Sequence, residues 1–260
     1  MHDIANLNGI HGGITIIEER STGTRSYFED GVLQARASAA GESRLAYVHL
    51  LAEILRDANQ VLLLGCGSGS LATMLHDRGK SVIVVDDNPV SFLVALHYYG
   101  MPAGIERHCV DFRTYLKRET RRFDGIGIDI GASRMDFGAT FDDPTCRSIR
   151  KRLAPMGTIA MNMLARDSLD LTPDRIAEDL ALNADGCWLF NEPRMDERNV
   201  VIGAHGHPQA DPNTFLPARN ARIDDVRWAI RRPGAGAADM PRHEAGIGGT
   251  VGTALRWLAS

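Results

Sequence analysis

Three glycines at alternate positions, Gly65, Gly67 and Gly69, and three aspartates, Asp86, Asp111 and Asp129, are the residues best placed by type and spacing to do chemistry. Glycine lets a chain turn sharply and lets a ligand approach the main chain without meeting a Cβ. The glycines follow a short apolar run, 61–64, of the kind that forms a buried parallel strand. Leu71, Met74 and Leu75 then share one helical face. A second apolar run, 81–85, ends in Asp86, roughly 20 residues after Gly65, where an acid commonly takes the hydroxyls of a ribose. The order is strand, glycine loop, helix, strand and acid, the layout of a nucleoside site. The spacing Gly-x-Gly-x-Gly differs from the Gly-x-Gly-x-x-Gly that seats a pyrophosphate on a helix N-terminus. That spacing argues against a nicotinamide enzyme.

The elements that must position these residues are strands alternating with helices, which argues a parallel sheet covered on both faces. A helix is expected from Ser43 to about residue 57, with Ser43 able to cap it and Leu45, Val48, Leu51 and Leu55 on one face. Asn88-Pro89 opens the helix after the second strand. Further strands are expected at 105–110, 123–128 and 158–164, and helices at 113–117, 142–153 and 173–182. Segments 187–190 and 199–204 read as a closing antiparallel pair. Asp86, Asp111 and Asp129 then stand at the ends of three successive strands, where open parallel sheets bind ligands. Before this domain, residues 1–42 read as a small β-hairpin element: 14–17, 25–29 and 32–36 suit strands, and Asp30-Gly31 is a strong hairpin signal. A hairpin is not stable alone, so it must pack on the main domain or on a second subunit, which makes a homodimer possible. The main domain spans 43–205. Residues 206–260 are rich in Pro and Gly and read as an irregular extension with short helices at 223–230 and 250–258.

Composition bounds the function. The 260 residues fit one large domain or a main domain with a small accessory one. Net charge is −4 from 29 basic and 33 acidic residues, which gives no reason to expect nucleic acid. The four cysteines, Cys66, Cys109, Cys146 and Cys187, are widely spaced, so neither a metal site nor a disulfide framework is expected. With no apolar run of membrane-spanning length and no leader pattern, a cytoplasmic protein without membrane partners is expected.

Taken together, the motifs resemble the polyamine aminopropyltransferase (spermidine synthase) family, within the class I methyltransferase-like superfamily and its Rossmann-like fold. The resemblance runs from about residue 14 to 204. Gly31-Val32-Leu33-Gln34 is similar to the family's return strand, and Tyr47 falls on the tyrosine of the helix that follows. Gly65-Cys66-Gly67-Ser68-Gly69 occupies the glycine motif, and Val85-Asp86, with Asp87 beside it, the ribose-binding position. Asp111-Phe112-Arg113-Thr114-Tyr115-Leu116 resembles the adenine-side motif. Phe123-Asp124 to Ile128-Asp129 matches the strand ending in the catalytic aspartate, and Pro155 with Gly157 the next turn.

The resemblance implies decarboxylated S-adenosylmethionine, or S-adenosylmethionine itself, as donor substrate. It implies Gly65, Gly67, Ser68, Gly69, Asp86, Asp87, Asp111 and Phe112 as the donor's contacts. Gln34, Tyr47 and Asp129 would bind a small-molecule amine acceptor, and Asp129 would take its proton. His49 and His97 are weaker candidate bases. Two departures matter. The family has aspartates where this chain has Ser68 and Ala132, and those acids hold cationic amines. The nearby acids in sequence are Glu42, Asp136, Asp142 and Asp143, and 131–143 reads as a lid over the acceptor. Weak activity with a diamine is expected, and an acceptor that is larger or less positively charged. Methyl transfer, which Ser68 favours, and a catalytically silent nucleoside-binding protein are the alternatives.

Overall fold

The computed structural model describes residues 1–131, 135–182, 186–192, 196–205, 212–216, 223–224 and 226–234. N-terminally, β1 (His2–Gly9), β2 (Gly12–Glu19), β3 (Thr24–Glu29) and β4 (Val32–Ala37) form an antiparallel meander. The small hairpin expected from sequence is thus a four-stranded sheet. The turn at Asp30-Gly31 puts both residues at positive φ, 49° and 76°, which matches the twist of the strands it joins. β1 was not expected because Asp3, Asn6 and Asn8 interrupt its apolar residues, and a register irregularity between Asp3 and Ala5 breaks the period of two. Ile14, Ile16, Tyr27, Ala35 and Ala37 of this sheet bury against Val94 and Tyr99 from the helix α3 (Pro89–Tyr98) and its end. The sequence argument for a second subunit, an element with too little core, is met within the chain.

A linker leads to α1 (Ala46–Ile54), which starts later than expected. Ser43 does not cap it; its hydroxyl instead accepts from the Leu45 N–H at 3.1 Å. Eight strands then form the second sheet, in the order β12-β10-β11-β9-β8-β5-β6-β7. The parallel part comprises β5 (Gln60–Leu64), β6 (Ser81–Asp86), β7 (Glu106–Cys109), β8 (Phe123–Ile128) and β9 (Leu153–Ala165). From β5 the chain winds outward through β6 and β7, then returns to place β8 and β9 on the other side of β5. The order therefore reverses between β5 and β8, the switch point at which such sheets open a ligand crevice.

Side-chain alternation explains why these runs are apolar throughout. Leu62 and Leu64 face one core with α4 (Phe112–Arg118), α6 (Asp143–Lys151) and α7 (Thr172–Leu180). Val61 and Leu63 face the other, with α1, α2 (Ser70–Asp77) and α3. The expected turn at Pro155-Met156-Gly157 is an irregularity within β9. Met156 has φ 64° and the pairing with β8 shifts there before resuming at Thr158.

β10 (Cys187–Asn191) and β11 (Arg198–His205) close the sheet antiparallel, as the sequence indicates. β12 (Ala229–Arg231) adds an edge strand on β10, where a helix over 223–230 was expected. It is tied down by the Arg231 guanidinium on the buried Asp174 carboxylate at 2.7 Å and by Arg232 over the Trp188 ring at 3.4 Å. Tertiary contacts thus override a weak helical pattern. The expected helix at 250–258 and Ala132 lie outside the described residues. Among the described residues no helix is long and apolar enough to cross a membrane.

Candidate active site at the switch point of the sheet

Each glycine of the loop after β5 has its own reason. At Gly65, φ is 101° and a Cβ would stand 2.1 Å from the Asp129 carbonyl oxygen, so only glycine lets the ends of β5 and β8 meet. At Gly69, φ is 73° and a Cβ would meet Met101 Sδ at 2.8 Å. At Gly67, φ is 49° and nothing lies within 4 Å of where a Cβ would be. Open space beside a main chain held in the left-handed region is what a ligand seated on the backbone needs. α2 starts next, with Gly69 at its N-cap offering no side chain to its first N–H groups. The buried Ser68 and Ser70 hydroxyls hydrogen-bond each other at 2.8 Å at this helix end.

Asp86, at the end of β6, accepts from the N–H groups of Cys66 and Asn88, each at 2.8 Å. It therefore pins the glycine loop to the start of α3. Burial raises its pKa, and the two N–H bonds oppose that rise. Asp87 is exposed and pairs with His11 Nε2 at 3.0 Å, in the turn between β1 and β2. That hydrogen bond raises the His11 pKa against the opposing effect of burial. Beneath them the buried Glu29 of β3 accepts from Asn88 Nδ2 at 2.9 Å, and burial raises its pKa too. Asp111 caps α4, accepting from the Thr114 N–H at 2.9 Å. Phe112 spends its ring on the core, stacked on Phe141 with centroids 5.7 Å apart.

Asp129 closes the crevice from the β8 side. Its N–H donates to the Leu64 carbonyl at 2.9 Å, which fixes it at the strand end beside Gly65. Its carboxylate receives Asn162 Nδ2 from β9 at 3.1 Å and also the Tyr47 hydroxyl from α1. Burial pushes its pKa up to about 6, and both hydrogen bonds hold that rise back.

One cavity collects residues from four separate stretches: Gln34, Tyr47, Gly65, Gly67, Ser68 and Asp129 all line it. These are the two acceptor contacts, three of the glycine-loop residues and the base expected from sequence. Asp86 reaches its wall through the Cys66 N–H that it holds. Asp87, Asp111, Phe112 and Gly69 are not among its lining residues.

His49 bonds the Ser43 carbonyl at 2.9 Å, and His97 sits on the exposed side of α3. Of the substitute acids, Asp136 and Asp142 cap α5 (Phe137–Thr140) and α6, and Asp143 pairs with Arg147. Asn162 was missed by sequence reasoning. A polar residue inside the apolar run 158–164 was the available signal, since a buried amide needs a partner.

No protein-family model and no curated protein sequence matches the chain. Solved structures do. A probable spermidine synthase from Corynebacterium glutamicum ATCC 13032 superposes with a TM-score of 0.69 at 14% identity, over 78% of this chain and 80% of that one. The spermidine synthase from Thermotoga maritima gives 0.60 at 16%, over 83% and 76%. This chain has the spermidine synthase fold. Human methyltransferase-like protein 13, in complex with SAH, gives 0.51 at 21% identity, over 67% of this chain and 91% of that one. Its likeness covers less of this chain than the likeness to the two spermidine synthases.

Proposed function

We propose that this chain is a spermidine synthase-like transferase. It would move an aminopropyl group from decarboxylated S-adenosylmethionine to an amine, with Asp129 as proton acceptor. The observation that carries the reading is the meeting of Asp129, Tyr47 and Gln34 with the glycine loop around one cavity at the switch point. Gly67 leaves open space for a nucleoside against the backbone, and Asp86 is the acid at the ribose position.

The donor supplies a sulfonium whose adjacent carbon is open to attack by an amine lone pair. The new C–N bond forms as the C–S bond breaks, and a neutral thioether leaves. The attacking nitrogen must shed one proton. An alkylammonium has a pKa of about 10, so it arrives protonated at neutral pH and needs a base to present its lone pair. Asp129, with a pKa of about 6, is ionised at pH 7 and accepts that proton. Tyr47 and Asn162 hold the carboxylate while it does so.

A specific observation favours methyl transfer as a second reading. Ser68 and Ser70 with the uncapped end of α2 present hydroxyls and N–H groups and no negative charge. That environment suits the carboxylate of intact S-adenosylmethionine better than a bare ammonium.

Calorimetric titration with S-adenosylmethionine, its decarboxylated form, methylthioadenosine and S-adenosylhomocysteine tests both readings. Aminopropyl transfer expects the decarboxylated donor to bind at least about tenfold more tightly than the intact one, roughly 1.4 kcal/mol. The reverse order supports methyl transfer. Binding without turnover of any amine leaves a silent nucleoside-binding protein, and no binding at all overturns the proposal.

A further inference from the structure

Asn162 follows Met161, the β9 residue that pairs with Ile128 at the end of β8, so it stands beside Asp129 at the crest of the sheet. It is only 9% exposed. Its Nδ2 donates to Asp129 Oδ1 at 3.1 Å, and its own Oδ1 is buried with no hydrogen-bond partner among the described residues. A buried acceptor left unpaired is costly and calls for a reason. Turning the amide over would set Oδ1 against a carboxylate and lose the one bond that is made. The side chain is therefore oriented to serve Asp129 at the expense of its own oxygen.

We propose that Asn162 is a positioning residue that keeps the Asp129 carboxylate ionised and sets the pH above which it can take the acceptor's proton. The role rests on the transferase reading given above. Among the described residues, the groups facing Asp129 are few. Tyr47 from α1 bonds the same carboxylate, and Glu192, following β10, acts on Tyr47. Burial and the neighbouring Asp129 carboxylate drive the Tyr47 pKa well above the ordinary phenol range, so Tyr47 stays a neutral donor. Among the described residues, burial and the hydrogen bonds from Asn162 and Tyr47 set the Asp129 pKa. Of the residues in contact, Asp129 is thus the one that changes charge near neutrality, and the amide is the donor that a single substitution removes without touching the ring of Tyr47.

The test reads Asp129 directly. Carbon NMR of protein labelled at the aspartate carboxyl, with Asp129→Asn to assign the signal, gives the Asp129 titration in the unaltered protein and in Asn162→Ala. Loss of the hydrogen bond should raise the Asp129 pKa by about one unit, a tenfold change in proton affinity. The acid limb of kcat should move to higher pH by the same amount, with the donor's KM unchanged. Asn162→Gln, which keeps an amide donor, should restore most of both. If Asn162→Ala does not fold, Asn162→Val has a strand-compatible shape and no hydrogen-bond donor, so its titration is expected to rise likewise. An Asp129 titration that does not move in a folded Ala or Val variant overturns the proposal. A titration that moves in a protein that turns over no amine leaves the coupling standing and overturns the transferase reading alone.

Discussion

Two carboxylates would carry the proposed chemistry of the crevice, and they are held by opposite means. Asp86 is gripped by two backbone N–H groups, while Asp129 has only an amide and a phenol against its burial. An aspartate in an unfolded chain titrates near 3.9, about two units below the value of about 6 in the fold. Folding thus favours the protonated form of Asp129. Its favourable contribution to stability is complete below about pH 4 and is lost as pH rises through 6, after which the buried charge is a cost. Asp129→Asn should abolish turnover by a factor of about 10²–10⁴. It should also stabilise the protein at pH 8 by on the order of 1–2 kcal/mol, with the gain fading toward pH 4. Urea unfolding of both proteins at the two pH values checks this; a variant less stable at pH 8 would mean the carboxylate is not under strain from burial. For Asp86, removal has two effects. Asp86→Ala should weaken nucleoside binding by about 1.5–3 kcal/mol, the worth of a charged hydrogen bond. It also frees the Cys66 and Asn88 N–H groups. Calorimetry on a variant whose melting is cooperative separates lost binding from a loosened loop, and unchanged affinity there would remove the ribose assignment.

At the scale of elements, the glycine loop shows that one spacing pattern can have more than one cause. Spacing marked 65, 67 and 69 as a ligand loop. In the fold only Gly67 faces open space, whereas Gly65 is required by the Asp129 backbone and Gly69 by Met101 and Ala95. Gly65→Ala should therefore cost roughly 2–4 kcal/mol of stability, because a backbone oxygen cannot step aside. Gly67→Ala should cost about 1 kcal/mol for its positive φ, and should weaken donor binding instead. Thermal melts beside donor titrations would distinguish them, and equal losses of stability would contradict the assignment. Strand-end acids show the same double cause. Asp111 was legible at the end of its strand, yet it caps α4, as Asp136 and Asp142 cap their own helices. A cap and a ligand contact leave the same residue type at the same kind of place. The elements that escaped the sequence, β1 and β12, are short or polar strands whose pairing partners, not their own patterns, decide them.

For the whole molecule, the parallel sheet and its closing antiparallel pair were legible because a buried strand must be apolar on both faces. What was not legible is which residues meet. Gln34 and Tyr47 come from the N-terminal sheet and α1, whereas Gly65 and Asp129 follow β5 and β8; the reversal of strand order brings the last two together, and packing of the other elements brings the first two to the same cavity. Asn162 could not be placed from its own strand for the same reason. This shared cavity has a thermodynamic consequence. A donor that binds only the folded chain stabilises it by about 2.7 kcal/mol when present at 100 times its Kd, which for a chain of this size is a melting shift of roughly 5–10 °C. Because β4 and the glycine loop both line the cavity, and the first sheet shares the core of Val94 and Tyr99 at α3, that stabilisation should reach both sheets. Hydrogen exchange read by mass spectrometry should show slower exchange in the segment around Gln34 as well as in 65–72 when donor is added. Protection confined to the glycine loop, with β4 unchanged, would mean that the N-terminal sheet does not contribute to the donor side of the crevice, and that Gln34 waits for the acceptor.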